Sequence, residues 1–182
     1  MKRNFWLEAL KGGTVVGLVS VAFSIVTVVC GDSTTLVNLL SIASTVVTIL
    51  LLFGYTRRFA AMHSAEEGFS VGRAVGFVVA MMIFVGVLSG VYSAVNANFF
   101  MKAELLQGVD EVMAQMQDVV PAESFEKTYQ MMRSSVTNPF IHTGSSVISH
   151  SFFGVIVGLC VGLLVRRRPD IFANTNNGQP TE

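Results

Sequence analysis

A chain of 182 residues that is 52% hydrophobic and only 13% charged, with a mean hydropathy of +0.60, is too apolar for a water-soluble domain of its size. Twelve basic residues balance twelve acidic ones, and the basic clusters hug the ends of apolar runs as topological anchors; this excludes a nucleic-acid-binding module and makes a lipid bilayer the solvent. No P-loop, G-x-S-x-G elbow, H-E-x-x-H or cysteine cluster occurs, so the expectation is a non-enzymatic protein with no catalytic residue, cofactor or metal site.

Four stretches lack Asp, Glu, Lys and Arg: Gly12 to Gly31, Ser33 to Thr56, Ala74 to Met101 and Ser134 to Val165. Each is long enough to cross about 30 Å of hydrocarbon at ~1.5 Å per helical residue. The predicted fold is therefore all-α: a bundle of four transmembrane helices with an extracytoplasmic helical hairpin between spans three and four.

Span one is expected at Thr14 to Cys30, with Gly13, Gly17, Ser20 and Ser24 on one stripe. A lipoprotein signal ending at Cys30 is set aside, because Val29 stands where a small residue belongs and Trp6 and Glu8 interrupt the basic leader. Trp6 reads as an interfacial anchor. Span two is expected at Leu36 to Tyr55, where Asn38, Ser41, Thr45 and Thr48 form a polar stripe able to hydrogen-bond across a helix pair. In the following loop, Thr56 to Arg73, His63 with Glu66 and Glu67 resembles a metal or acid–base cluster, but a solvated loop is the preferred reading.

Span three is expected at Ala74 to Val95, its small-residue stripe running through Gly86, Gly90, Ser93 and Ala97; spans one to three thus occupy residues 1–100. Residues 101–138 follow as the outer segment. Leu105, Val109, Val112, Met116 and Val119 recur at helical spacing, as do Phe125, Tyr129, Met132 and Val136, which predicts two amphipathic helices. The simplest construction continues span three to about Val119, turns at Val120-Pro121 and returns from Glu123 to Thr137, projecting about 25 to 30 Å at ~1.5 Å per residue. Six carboxylates against three basic residues disfavour helices lying flat on the membrane. Met101, Met113, Met116, Met131 and Met132 are soft thioethers that suit Cu(I), yet core packing is preferred.

Asn138-Pro139 reads as a helix cap with proline at the first helical position, opening the last transmembrane unit, residues 139–168. Within it span four is expected at Val147 to Val165, with Gly154, Gly158 and Gly162 forming a double G-x-x-x-G. Residues 169–182 are expected to be a flexible cytoplasmic tail. Cys30 and Cys160 fall at different bilayer depths, so no disulfide joins them. The four stripes predict one compact bundle whose glycines meet within the monomer rather than in an oligomer.

With an even number of spans, both termini and the first loop share a side that holds nine basic residues (Lys2, Arg3, Lys11, Arg57, Arg58, Arg73 and Arg166 to Arg168). The other side holds three: Lys102, Lys127 and Arg133. Positive charge stays inside, so both termini are expected in the cytoplasm of a bacterial inner membrane. No span carries an Asp, Glu, Lys or Arg, which disfavours a charge-driven pump. His150, four residues before Gly154, is the one imidazole assigned to a span; with Asn38, Asn96 and Asn98 it could form a polar cluster at the outer mouth, although a water-bonded interfacial histidine is the plainer reading.

Three motifs carry a resemblance: "EALKGG" entering span one, "GFSVGRAVGF" at Gly68 to Phe77, and "NPF" at Asn138 to Phe140 before a glycine-rich span ending in "RRRP". Gly68, Phe69, Ser70, Gly72 and Arg73 are the most telling. Up to about Pro169 the chain resembles a family of short four-span inner-membrane proteins of bacteroidete bacteria, catalogued only as a domain of unknown function. The resemblance implies a multi-pass membrane protein and supplies no activity, substrate, cofactor or catalytic residue. The leading expectation is an accessory or complex subunit in the lipid bilayer whose outer hairpin contacts an unidentified membrane or periplasmic protein. The alternative is a small transport or channel component acting as an oligomer.

Overall fold

The computed structural model describes residues 5–30, 33–63, 68–117 and 121–167. Among them the chain forms six α-helices: α1 (Phe5–Val29), α2 (Thr34–Ala61), α3 (Val71–Val95), α4 (Lys102–Met116), α5 (Ala122–Thr137) and α6 (Pro139–Val165). A π-helical segment, Asn96–Phe100, continues α3. Four helices are long and apolar enough to span a membrane: α1, α2, α3 with its π extension, and α6. Hydrogen bonding within each helix satisfies the backbone where no water could.

The helices run beyond the apolar stretches that mark them. α1 begins at Phe5 rather than near Thr14, carrying Glu8 and Lys11 as an ion pair at 3.7 Å. A charge lowers hydropathy without breaking a helix, and an acidic residue in the first turn suits the helix dipole. α6 begins at Pro139, where the Asn138 side chain accepts from the Phe140 amide at 2.9 Å.

α3 is the centre of the bundle. A Cβ at Gly13 would lie 2.6 Å from the Met81 carbonyl oxygen, and one at Gly17 3.3 Å from Cα of Val85, so α1 lies parallel to α3 in near-backbone contact. α6 runs antiparallel: Gly86 faces Val147, Gly90 faces Thr143, Gly154 faces Met82, Gly158 faces Val75 and Gly162 faces Val71. These glycine contacts lie within one chain.

α2 departs from the expected compact bundle. Its buried residues, Thr48, Leu52, Thr56, Phe59 and Ala60, all lie in its second half. The polar stripe does not bond across helices: Ser41 donates to the Val37 carbonyl and Thr45 to that of Ser41, both at 2.9 Å. A hydroxyl that reaches the carbonyl four residues back needs no neighbour, and the first half of α2 packs only loosely, with Val37, Leu40, Ser44 and Val47 half-buried.

The second half of α2 is held by an aromatic cluster. Phe59 stacks on Phe77 with centroids 4.1 Å apart, and Phe5 meets both edge-on at 5.8 Å. His63 and the buried Phe69 complete the group. Gly68 has φ of 61°, the left-handed turn that brings Phe69 inward. The Phe69 backbone then exchanges hydrogen bonds of 3.0 and 3.1 Å with that of Arg167, and Ser70 caps α3 by accepting from the Arg73 amide. The stretch from Gly68 to Phe77 therefore joins α2, α3 and the end of α6.

Beyond α3 the expected continuous helix is interrupted. The Met101 amide donates to the Asn96 carbonyl, five residues back, and Met101 leaves helical geometry at φ −109°, ψ 8° before α4 starts. Asn98 ties this junction to the end of α5 by donating to the Thr137 carbonyl at 3.0 Å. α4 and α5 pack together, and Tyr129 donates to Asp110 at 2.7 Å. Here the expected seam is corrected by one residue: Val109 and Met113 are buried, whereas Val112 is 43% exposed. Residues 109 and 113 share one face of a 3.6-residue turn, and 112 lies to its side. Of the expected turn at Val120-Pro121, Val120 lies outside the described residues, and α5 starts directly after Pro121.

Candidate functional site

Where the first half of α2 packs loosely, a groove opens between α1, α2, α3 and α6. Its deeper chamber has a volume of about 380 Å³. α1 contributes Ser20 and Ser24, α2 Ser44, Thr45 and Thr48, α3 Ser89, and α6 Ser149 and His150. Met82, Val85 and Phe153 supply the apolar walls. A second chamber of about 750 Å³ continues toward α4 and α5, bounded by Tyr92, Asn96, His142 and Ser145 among others. Ser24, Ser89 and His150 border both. No Asp, Glu, Lys or Arg lines either chamber.

The two histidines are held in opposite senses. His150 Nδ1 lies 2.8 Å from the Ser146 carbonyl oxygen, which can only accept, so Nδ1 carries the proton and Nε2 remains an acceptor in the neutral ring. His142 has Nε2 at 2.9 Å from the Val136 carbonyl oxygen and Nδ1 at 3.5 Å from Ser93 Oγ, so its neutral ring is satisfied at both nitrogens. His142 fastens α6 to α3 and to the end of α5. His150 keeps one nitrogen for something else.

The hydroxyls divide in the same way. Ser24 donates to the Ser20 carbonyl and Thr45 to that of Ser41. Thr48 is only 7% exposed and borders the deeper chamber, yet its hydroxyl has no partner among the described residues. The fully buried hydroxyl without a partner among the described residues is that of Thr56, outside the groove; the Thr48 hydroxyl borders the chamber, where a hydrogen-bonding group could satisfy it.

Of the four residues expected at the outer mouth, the structure brings two to the groove, Asn96 and His150. Asn38 is exposed on the first half of α2. The amide of Asn98 is committed to the Ala94 and Thr137 carbonyls, and that of Asn96 donates to Met101 Sδ at 3.2 Å. His142 escapes notice in the sequence because it precedes the predicted start of span four, although His142, Ser146, Ser149 and Phe153 already recur at spacings of four, three and four. His63 donates to the Phe59 carbonyl and packs on rings, while Glu66 and Glu67 lie outside the described residues. Cys30 and Cys160 are free thiols.

No curated protein and no solved structure matches this chain. A family model does, over residues 11–167, a range that takes in the glycine contacts, the Gly68 to Phe77 lock and every residue bordering the groove. The chain therefore belongs to the protein family of unknown function DUF4199.

Proposed function

We propose that the chain is a non-enzymatic accessory subunit of the inner membrane of a bacterium, a bacteroidete by the resemblance, with both termini cytoplasmic and α4–α5 outside as a helical hairpin that contacts a partner protein. The observation that carries this reading is an ordered helix pair with its own apolar interior, Val109 and Met113, standing beyond the long helices. Met131, 68% exposed among polar neighbours, marks a face available for contact. The count of nine basic residues against three supports the sidedness.

A photo-crosslinking residue at position 131, followed by mild-detergent extraction and mass spectrometry, tests the reading. A reproducible unlike partner is expected. Sidedness is tested separately with reporters active only outside the cytoplasm, which should work when fused after Gln115 and fail after His63. The opposite pattern would remove the ectodomain and the hairpin contact with it.

A second reading, a transport or channel component acting as an oligomer, draws on the hydroxyl-lined groove. Cross-links solely between copies in a closed homo-oligomer would favour it over the accessory subunit.

A further inference from the structure

We infer that the groove between α1, α2, α3 and α6 is a binding site for an uncharged lipid, held through the hydroxyl groups of its headgroup with His150 Nε2 as the central acceptor.

The chemistry of the wall selects the ligand. With no Asp, Glu, Lys or Arg bordering the groove, a phosphate or ammonium headgroup would stand there without a counter-charge. His150 Nδ1 is spent on the Ser146 carbonyl, so Nε2 asks for a donor. The unpartnered Thr48 hydroxyl both donates and accepts, as does an alcohol. A diol or polyol answers both groups. Met82, Val85 and Phe153 beside them suit the apolar part of the same molecule.

Size and access point the same way. The deeper chamber, at about 380 Å³, lies within the roughly 300 to 1,000 Å³ of small-molecule sites. α2 buries no residue before Thr48, and Leu39, Ile42 and Val46 on that half are exposed, which leaves the groove beside lipid. A ligand already dissolved in the bilayer could enter past this half-helix.

The inference rests on the four long helices spanning a bilayer and is independent of what the α4–α5 pair contacts. The full chain would be reconstituted in phosphatidylethanolamine–phosphatidylglycerol vesicles and its insertion verified by flotation; failure to float overturns the membrane reading itself. A diacylglycerol carrying a diazirine close to the glycerol is then photolysed, and the labelled peptides are mapped. Labelling is expected on α2 and α6 around Thr48 and His150, competed by unlabelled dioleoylglycerol. His150→Phe should lower it about tenfold, the value of one lost hydrogen bond of ~1.4 kcal/mol. His150→Gln, which keeps an acceptor, should recover part of it, Thr48→Val should lower it severalfold, and Ser41→Ala, outside the groove, should leave it unchanged. Absent labelling would mean a water-filled crevice and overturn the inference. So would equal labelling by a phosphatidylglycerol probe, labelling spread evenly over all four helices, or a Ser44→Cys disulfide dimer that replaces the lipid label.

Discussion

Gly86→Ala adds one methyl group where two helices already touch. A Cβ at Gly86 would stand 2.7 Å from Cα of Val147, 0.7 Å less than the 3.4 Å at which ordinary contact begins; at Gly90 the neighbour is Cα of Thr143 at 2.6 Å. Both obstacles are backbone, so no side chain can swing aside. The helices must part locally by most of an ångström, and a gap of about 0.5 to 1 Å forfeits a quarter to a half of each dispersion contact along the seam. Overpacking of this kind costs about 1 to 3 kcal/mol, of which alanine's better helix propensity returns at most ~1 kcal/mol. A net loss of about 1 to 2 kcal/mol corresponds to about 2 to 8 °C in apparent Tm for a chain of this size. The assay is thermal loss of the 222 nm circular dichroism signal, or of the monodisperse chromatographic peak, in mild detergent. Gly144→Ala is the control, since nothing lies within 4 Å of its added Cβ; it should melt at or slightly above the parent. If Gly86→Ala melts no lower than Gly144→Ala, α3 and α6 do not meet backbone to backbone and the close packing described for them is wrong.

Gly158→Leu should reduce apparent Tm or yield more than Leu163→Ala, because a Cβ at Gly158 is already 3.1 Å from Cα of Val75 whereas Leu163 is 67% exposed; equal effects would turn the glycine stripe toward lipid. In the α4–α5 pair, Met113→Asp should expose the segment to protease while the long helices stay inserted, since burying an unpaired carboxylate costs more than the roughly 2 to 7 kcal/mol of a neutral polar group. Val112→Asp should leave protection unchanged, and identical behaviour of the two variants would refute the seam. The hydrogen bond to Asp110 raises the Tyr129 pKa above its ordinary 10, with burial adding to the rise and Arg133 opposing it. A group whose folded pKa is raised stabilises fully below the unfolded value and loses that contribution as pH climbs through the folded one, so resistance of the pair to protease should fall only above pH 10. The tyrosinate absorbance lost in Tyr129→Phe should titrate higher than free tyrosine, and Asp110→Asn should bring it back toward the ordinary range.

The number of long helices is legible because uncharged stretches of this length have few alternatives to a helix in hydrocarbon. Their ends are not, since hydropathy registers Glu8 and Lys11 as a boundary while the backbone continues through them. The cap at Asn138 is different, because it rests on a residue type with a specific backbone role; the left-handed turn at Gly68 is not read from the sequence. At Asn96 to Met101 the apolar run continues but the hydrogen-bond register slips by one, and composition carries no mark of that slip. The one-residue error at Val112 has a similar origin. Spacings of three and four admit two overlapping stripes, and only contact with α5 chooses the one through Met113.

The polar residues of α2 show most clearly where inference from position fails. A row of serine and threonine in a membrane helix looks like a seam, because each hydroxyl ought to need a partner. Ser41 and Thr45 find that partner in their own helix and ask nothing of another. Thr48, three residues beyond Thr45 and bordering the same chamber as His150, does not. The sequence assigns all three the same weight. What separates them is the hydrogen bond each hydroxyl leaves unmade, and this is why the groove emerges from the stripe once the chain is folded, with His150 Nε2 and the Thr48 hydroxyl among the groups a ligand would satisfy.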